Sequence, residues 1–416
     1  MKTKAVRMYG KNDLRLEEFE LPPLKTDEIL AKIVTDSICM STYKAALQGS
    51  DHKRVPSDID SQPIIVGHEF CGEIVEVGSH WANEFQPGAK FVMQTALNHK
   101  GSMDAPGFSF PYVGGDATYI IIPSVVMELG NLINFESDCF YLGSLVEPMS
   151  CIIGAYHASY HTRPGCYVHQ MGIKEGGSMA LLAACGPMGL GAIDYALNCD
   201  RRPSVLVVTD IDSERLDRAS SIYTVEKAAQ LGVKLTYVNT AKLNNPVSAL
   251  KEYAPDGFDD VFVLAPVPAV IEQGDDLLGK DGCLNFFAGP TDRGLSAKFN
   301  FYNVHYSATH IVGTSGGNTD DMKEAVLLVN KGRIDPSSMI THVSGLNSVI
   351  DTTLNLPRIA GGKKLVYAQV DMPMTALSDI GKLADINPLY KDLDEIIRQH
   401  NGLWSPEAEK CLLGYK

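Results

Sequence analysis

A histidine and a glutamate stand side by side in the segment PIIVGHEFCGEIVEVG, and both are residue types that bind metals or move protons. His68 and Glu69 do not form the helical zinc-protease pattern, because that pattern needs a second histidine four residues on, where Gly72 stands. The pair therefore needs partners from elsewhere in the chain. Cys71 lies between two glycine-bounded strand-like runs and is interpreted as a packed thiol.

Two distant residues are candidate partners for this pair. Cys39 lies in SICMSTYK and Glu147 in SLVEPMS. Singly, each has an ordinary interpretation: Cys39 as a small buried hydrophobe, His68 as a hydrogen-bonded ring, and Glu147 as an acid at a helix start. Together, one thiolate, one imidazole and one or two carboxylates predict an open zinc site with a position left for water or substrate.

A second motif indicates a dinucleotide. The segment LLAACGPMGLGAIDYAL carries glycines at positions 186 and 189, after an apolar run and at the start of a helical pattern. Gly186 would let the backbone approach a pyrophosphate, and Gly189 would let the helix pack on the strand. Pro187 and Met188 lie between them and complete the expected turn. An unrelated glycine-rich turn is the other interpretation.

The next apolar strand, SVLVVTD, ends in Asp210, which lies 21 residues after Gly189. A carboxylate there would accept hydrogen bonds from the adenosine ribose and would repel a 2′-phosphate, so NAD is favoured over NADP. Arg215 and Arg218 lie close in sequence and weaken that preference, so NADP stays open.

Element patterns divide the chain into two kinds of sequence. The first 150 residues read as strands and turns punctuated by Gly and Pro, which is typical of a small β-rich domain. From residue 178 strands and helices alternate, with Ser213 expected to cap the helix SERLDRASSIY, which predicts a parallel α/β sheet. From about residue 370 we expect two short capped helices, in NPLYKDLDEIIRQHNG and SPEAEKCLLG, packed on the surface.

Composition narrows the class of protein. The chain has 416 residues, 45% hydrophobic and 21% charged, which suits two globular domains. The net charge of −14 argues against a nucleic-acid binder, and neither a signal pattern nor an apolar membrane-spanning run is seen. Nine cysteines without a C-x-x-C pair indicate reduced thiols in a cytoplasm and argue against a four-cysteine structural zinc.

The segments GHEFCGEIVEVG, SLVEPMS and GPMGLGAIDYAL resemble the zinc-dependent medium-chain dehydrogenases, in particular the sorbitol dehydrogenase-like branch. The resemblance spans about residues 1 to 369. It implies an α/β fold with a GroES-like catalytic domain (1–155 and 318–369) and a Rossmann domain (156–317), followed by a helical tail (370–416). It also implies a homodimer or homotetramer.

The resemblance also implies roles for site residues. Cys39, His68 and Glu69 are the expected zinc ligands, with Glu147 as an alternate ligand or a partner of the bound water. Ser41 takes the place of the family's proton-relay hydroxyl. The family's usual Asp after that hydroxyl and its later histidine are replaced by Thr42 and Lys44, and Lys44 either closes the relay, binds a substrate phosphate or is a solvated helix residue.

The cofactor set expected from these segments is completed by Thr314 and Ser315, which follow the apolar run in HIVGTSGG. The implied reaction is hydride transfer from NAD(P)H to the C2 ketone of a ketose phosphate, with one catalytic zinc as a Lewis acid. In the polar loop SDHKRVP, His52, Lys53 and Arg54 are a candidate anchor for the phosphate, although a solvated loop explains them equally well.

Two other functions stay open. One is a dehydrogenase of an unphosphorylated polyol or a secondary alcohol, with the same zinc and nucleotide but a different pocket. The other is a zinc-free nucleotide-binding protein, which the presence of all four candidate ligands argues against. The segment YHTRPGCYVHQMGIKEGG (residues 160–177) is longer than usual for the family and has no assigned role.

Overall fold

The computed structural model describes residues 1–414, and these fall into two compact units. Unit 1 consists of Met1–Pro148 and the chain from Asn318 onward, and unit 2 is Met149–Gly317. The boundary expected between residues 155 and 156 differs from this division. Both boundaries lie inside one continuous helix, Val146–Ala158, so no loop marks the change of unit.

The strands follow the chain in this order: β1 (Lys2–Gly10), β2 (Asp13–Glu20), β3 (Ile29–Ile38), β4 (Ile64–Ile65), β5 (Phe70–Val77), β6 (Lys90–Met93), β7 (Tyr119–Ile122), β8 (Leu132–Asn134), β9 (Tyr160–Arg163), β10 (Cys166–Met171), β11 (Ser178–Leu182), β12 (Val205–Asp210), β13 (Lys234–Asn239), β14 (Phe258–Val263), β15 (Leu278–Phe286), β16 (His310–Val312), β17 (Ile340–Gly345), β18 (Lys363–Tyr367) and β19 (Thr375–Ala376).

The helices are α1 (Met40–Gln48), α2 (Ser124–Glu128), α3 (Phe140–Gly143), α4 (Val146–Ala158), α5 (Pro187–Asn198), α6 (Ser213–Ile222), α7 (Val225–Gln230), α8 (Pro246–Lys251), α9 (Pro268–Leu277), α10 (Phe301–Tyr306), α11 (Thr319–Asn330), α12 (Val349–Asn355), α13 (Leu389–Gln399) and α14 (Pro406–Leu413). Among the described residues, no helix combines the length and apolar character that crossing a membrane requires.

Unit 1 is built on β-sheets. Its larger sheet has the order β19-β17-β18-β3-β5-β6-β8, with β7 also paired to β3, and a smaller sheet has the order β2-β1-β4. Strand β3 lies at the centre because nearly all of its side chains are buried and it pairs with β5, β7 and β18. Its carboxyl end therefore delivers the residues after Ile38 next to the start of β5, where His68 and Glu69 lie.

Unit 2 is a parallel sheet flanked by helices. The strand order is β13-β12-β11-β14-β15-β16, and every pairing is parallel. The order reverses between β11 and β14, which creates the switch point where nucleotides bind in such sheets. The expected strands and helices of this region are present, but the N-cap of α6 is Asp212 rather than Ser213, because the Asp212 carboxylate accepts hydrogen bonds from the N–H groups of Glu214 and Arg215.

The C-terminal helices α13 and α14 are present as expected, with Ser405 capping α14. They do not merely lie on the surface of unit 1. Trp404 is 1% exposed and packs in one hydrophobic cluster with Tyr367 of β18 and Leu393 of α13. The carboxylate of Glu409 accepts hydrogen bonds from the N–H groups of Phe140 and Tyr141 at the start of α3. The tail therefore completes the core of unit 1.

Candidate active site

The candidate metal ligands come together at the end of β3 and the start of β5. Cys39 is the N-cap residue of α1, and His68 and Glu69 directly precede β5. One ligand atom from each of Cys39, His68 and Glu69 lies within 4.8 Å of the other two. A thiol, an imidazole and a carboxylate at this separation form a donor set suited to zinc, so the residues fit the metal that the motif predicts.

Two hydroxyl groups, those of Ser41 and Thr42, contact the candidate ligands Cys39 and His68. The Ser41 hydroxyl donates to Cys39 Sγ at 3.0 Å and lies 3.1 Å from His68 Nε2, while Thr42 Oγ1 lies 3.2 Å from His68 Nδ1. Because a hydroxyl both donates and accepts, either ring nitrogen of His68 can keep a lone pair for a metal. Ser41 thus contacts two expected ligands, which is the position that a proton-relay hydroxyl needs.

Burial controls the protonation of these donors. Burial, followed by the negative charge of Glu69, raises the pKa of the Cys39 thiol to about 12. Burial also lowers the pKa of His68 to about 4, so the ring is neutral near pH 7. A neutral imidazole is ready to bind a metal, and a bound divalent cation would favour the thiolate of Cys39 by direct electrostatic attraction.

A buried lysine, which the sequence motifs did not single out, holds Glu69. Lys363 Nζ lies 2.5 and 2.6 Å from the two carboxylate oxygens, and the Ser37 hydroxyl donates to the same carboxylate. Burial opposes ionisation of both groups, but their attraction wins: the pKa of Glu69 is lowered and that of Lys363 is raised. Glu69 is therefore an anion shared between Lys363 and the candidate metal position.

Glu147 lies in the first turn of α4. Its negative charge contributes to the raised pKa values of both Cys39 and Lys363, which places the carboxylate in the electrostatic neighbourhood of the cluster. The grouped ligand atoms do not include it. Since Lys363 engages both oxygens of Glu69, both Glu69 and Glu147 stay candidates for the third metal ligand.

Two further buried carboxyl groups lie behind Glu69. Asp36 Oδ1 accepts a hydrogen bond from the Glu69 N–H, and Asp36 interacts with Asp116. Burial raises the pKa of both, that of Asp116 to about 7. Sequence inspection missed this pair because its partners lie 80 residues apart and neither belongs to a motif.

The candidate phosphate anchor lies beside the ligands. The ring of Phe108 packs against His68 with centroids 4.6 Å apart, against His52 at 5.8 Å, and under the Arg54 guanidinium at 5.5 Å. Burial and the positive charges of Arg54, Lys53 and Lys44 lower the pKa of His52. The expected anchor residues and Lys44 therefore share one basic region, separated from His68 by a single aromatic ring.

The expected cofactor residues meet at one edge of the unit 2 sheet. Gly186 is the N-cap of α5 and Pro187 opens it. A Cβ atom at Gly189 would lie 1.9 Å from the carbonyl oxygen of Ala184, whereas one at Gly186 would meet nothing within 4 Å. Helix and strand therefore approach through Gly189, and the space in front of Gly186 is open, as a pyrophosphate turn requires.

Asp210 ends β12, but its carboxylate is turned toward backbone. It accepts hydrogen bonds from the N–H groups of Cys185, Ile211 and Asp212. Arg215 is half exposed, and its Nε lies 3.6 Å from the Asp212 carboxylate, with which it forms an ion pair.

The remaining predicted cofactor residues lie in that turn or at the same carboxyl edge of the sheet. Met188 is in the first turn of α5. Thr314 and Ser315 follow β16 at the carboxyl edge.

A β-rich unit with a thiol–imidazole–carboxylate cluster and a parallel-sheet unit with a dinucleotide turn are together typical of zinc-dependent dehydrogenases. Residues 25–130 match the family described as alcohol dehydrogenase GroES-like domain, and residues 187–331 match the family described as zinc-binding dehydrogenase. The chain belongs to this family of zinc-binding medium-chain dehydrogenases, which confirms the resemblance and the two-domain α/β fold. It is an enzyme that acts on CH–OH groups with zinc and a nicotinamide cofactor.

Two curated relatives and one solved structure show which members of the family the chain is similar to. The chain is 51% identical over 414 residues to a mannitol-1-phosphate 5-dehydrogenase of Aliivibrio fischeri, covering 99% of this chain and 98% of the relative. It is 48% identical over 413 residues to an L-sorbose 1-phosphate reductase of Klebsiella pneumoniae, with the same coverage. Among solved structures, 2R,3R-butanediol dehydrogenase from Bacillus subtilis shares the fold with a TM-score of 0.70 at 21% identity, covering 88% of this chain and all of that one.

Proposed function

We propose that this enzyme reduces the C2 ketone of a ketose phosphate, converting L-sorbose 1-phosphate to D-glucitol 6-phosphate with NADH or NADPH. The observation that carries the proposal is the basic region beside the candidate zinc ligands: His52 and Arg54 contact the same Phe108 ring that packs on His68. In a chain of net charge −14, such a region is suited to an anionic substrate. Two relatives named for sugar-phosphate substrates support the same class.

Cys39, His68 and one of the two glutamates, Glu69 or Glu147, would hold a single catalytic zinc. When bound, zinc supplies Lewis-acid polarisation of the ketone oxygen. The chain's own residues would do the rest. Ser41, which contacts both Cys39 and His68, is placed to pass a proton to the oxygen of the reduced carbon. Lys363 keeps Glu69 ionised and oriented, and is therefore a positioning residue.

The basic region would bind the phosphate. Arg54 offers a planar fork for two phosphate oxygens, and Lys53 is exposed and free to approach. Lys44 on α1 adds charge to the same region, so phosphate binding is the role we assign to it. The phosphate would orient the sugar, because binding energy from a non-reacting group positions the reacting carbon.

For the cofactor, we propose that the turn of Gly186, Pro187, Met188 and Gly189 binds the pyrophosphate, with Thr314 and Ser315 nearby at the same sheet edge. We also propose a preference for NAD(H). Asp210 and Asp212 place negative charge at the end of β12, and Arg215 already faces Asp212. A 2′-phosphate would therefore meet net repulsion.

The substrate assay compares L-sorbose 1-phosphate, fructose 1-phosphate, mannitol 1-phosphate and unphosphorylated L-sorbose, each with NADH or NADPH for ketones and NAD or NADP for the alcohol. Preference for phosphorylated ketoses supports the proposal. Equal kcat/KM for L-sorbose and its 1-phosphate would instead favour an unphosphorylated polyol or secondary alcohol as the substrate. Treatment with a chelator and restoration by zinc tests the metal requirement in the same assay.

Variants test the anchor directly. Arg54→Gln and Lys53→Ala each remove a charge-assisted contact, and we expect the KM for the sugar phosphate to rise about 10- to 100-fold. The KM for the unphosphorylated sugar should stay unchanged. Lys25→Ala is the matched control, because Lys25 is an exposed cation of the same unit paired with Glu28. A parallel rise of both KM values in Arg54→Gln would reject the anchor.

We also propose that the enzyme is a homodimer or homotetramer joined through unit 2. Strand β16 is the last strand of the sheet in the described chain, and apolar side chains lie exposed on it and on α10: Phe301, Tyr302, Tyr306 and Ile311. Apolar patches of this kind mark protein interfaces. Light scattering would test it, and a monomer at micromolar concentration would reject it.

A further inference from the structure

A second group of possible metal ligands lies in unit 2, away from the expected cofactor turn. His161 is in β9, Asp281 is within β15, and His310 opens β16. One ligand atom from each lies within 4.8 Å of the other two. His161 is buried, whereas Asp281 and His310 are partly exposed, so an ion could reach the group from solvent.

Both ring nitrogens of His161 face oxygen atoms. Its Nε2 lies 3.3 Å from the Asp260 carboxylate, and its Nδ1 lies 3.1 Å from the Asp281 carbonyl and 3.4 Å from the Asp281 carboxylate. A neutral imidazole has one N–H and one lone pair. If Nε2–H donates to Asp260, the lone pair of Nδ1 faces two oxygens of Asp281, and a cation between them would turn repulsion into coordination.

Asp260 has the features of a carboxylate that orients a ligating histidine. Such histidines commonly donate their second N–H to a carboxylate, which fixes the ring and strengthens it as a ligand. Asp260 is 2% exposed, and its Oδ1 has no hydrogen-bond partner among the described residues. A divalent ion at His161 would offset this buried negative charge.

His310 faces the same difficulty. Its Nδ1 lies 2.9 Å from the Ala308 carbonyl oxygen and its Nε2 lies 2.5 Å from that of Tyr160. A neutral ring can donate to only one of these carbonyls. The lone pair of its other nitrogen then faces a carbonyl oxygen, which is also an acceptor. The ring is held in place by stacking on Tyr160, with centroids 4.1 Å apart and planes 10° apart.

Asp281 is held in a strained conformation with its carboxylate fixed. Its φ of +60° lies in the left-handed region, which is unusual for a residue other than glycine. The Thr162 N–H donates to both carboxylate oxygens, and the Thr162 hydroxyl donates to Oδ1. This leaves Oδ2 with lone pairs on the side of His161. Strain of this kind persists where the surrounding structure requires one orientation.

We infer that His161, Asp281 and His310 form a second metal site, for a divalent transition-metal ion of which Zn²⁺ is the best match. Two imidazoles and one carboxylate suit zinc and its neighbours, with a remaining position for water. The ion would tie β9, and with it the hairpin of β9 and β10, to the edge of the parallel sheet. This gives the long 160–177 segment a structural role that does not depend on the proposed substrate.

The experiment counts metal in the full-length enzyme. The chelated protein is reloaded with Zn²⁺, dialysed, and analysed for zinc per chain. We expect two ions in the wild type, one in His310→Gln and one in Asp281→Asn. His169→Gln is the matched control, because His169 stacks on the same Tyr160 at 4.2 Å but is not in the ligand group. It should keep two.

A titration with Co²⁺ separates the two sites without any variant. An ion bound by Cys39 shows thiolate-to-metal charge-transfer absorption, and an ion held by nitrogen and oxygen alone does not. The inference predicts two bound Co²⁺ per chain, only one with the thiolate band. One Co²⁺ or one zinc per wild-type chain would overturn it, as would two zinc ions retained in His310→Gln. In either case His161 and His310 would hold β9 by hydrogen bonds alone, without a metal ion.

Discussion

Lys363 contacts both carboxylate oxygens of Glu69 but was not among the site residues predicted from sequence motifs. The variant Lys363→Met tests its role. The change removes the ammonium group while keeping much of the apolar stem. Glu69 is 1% exposed, and the Ser37 hydroxyl is then the one remaining hydrogen-bond donor to its carboxylate among the described residues. Breaking one side of a buried ion pair costs about 3–5 kcal/mol, because the remaining charge is neither solvated nor paired.

That magnitude is a large share of the roughly 5–15 kcal/mol that stabilises an ordinary protein. Two features of the structure place it at the upper end. The lysine side chain is 7% exposed, so water cannot replace it, and both carboxylate oxygens depend on it. A bound zinc would supply positive charge near Glu69, so we expect the loss to be smaller in the zinc-loaded enzyme than in the chelated one.

Urea unfolding followed by tryptophan fluorescence is the suitable assay. The chain has two tryptophans, Trp81 and Trp404, and both belong to unit 1, which contains the ion pair. The double variant Lys363→Met with Glu69→Gln removes both charges and should recover most of the lost stability, since a neutral pair leaves no buried charge behind. The reasoning is refuted if Lys363→Met loses less than about 1 kcal/mol, or if the double variant loses the sum of the two single changes.

Three further predictions concern the cofactor turn, the buried acids and the tail. Gly189→Ala would force a Cβ to 1.9 Å from the Ala184 carbonyl and should destabilise unit 2 by about 3 kcal/mol or more, whereas Gly186→Ala should leave thermal stability intact and weaken NADH binding in a fluorescence titration. Equal effects of the two would contradict the proposed turn. Burial raises the pKa of Asp116 to about 7, so its contribution to stability is present below about pH 4 and is lost as the pH rises to about 7. Asp116→Asn should remove this loss of stability, which is measured by comparing the urea midpoints of chelated wild type and variant from pH 4 to 8. Identical pH profiles of the two proteins would disprove the role of Asp116. Glu409→Gln should cost about 1–3 kcal/mol in urea unfolding, because an amide cannot accept from every donor that the carboxylate serves; an unchanged midpoint would show that the tail does not hold α3.

Local chemistry determined much of this protein from sequence alone. Gly186 and Gly189 mark a strand, a turn and a helix within one short segment, and a steric contact inside that segment, with the Ala184 carbonyl, explains Gly189. Ser405 and Gly414 likewise bracket α14, because helix ends are satisfied by neighbouring residues. Candidate ligands could be named because a thiol, an imidazole and carboxylates are rare in combination and the family's order of motifs connects them.

Tertiary structure decided what depends on distant contacts. Lys363 meets Glu69 across 294 residues of sequence, and Asp36 meets Asp116 across 80, so no local pattern could reveal either pair. The predicted N-cap of α6 was Ser213, whereas the N-cap in the structure is Asp212. Both residue types can cap a helix, and only the backbone angles in the folded chain show which of them does. The tail is part of the core of unit 1 because Trp404 packs with Tyr367 of β18 and donates a hydrogen bond to its hydroxyl. This contact depends on tertiary packing, which the helix pattern of the tail does not predict. Sequence therefore named the chemistry and the elements, while the burial and pairing of charge in the folded chain decide how each group behaves.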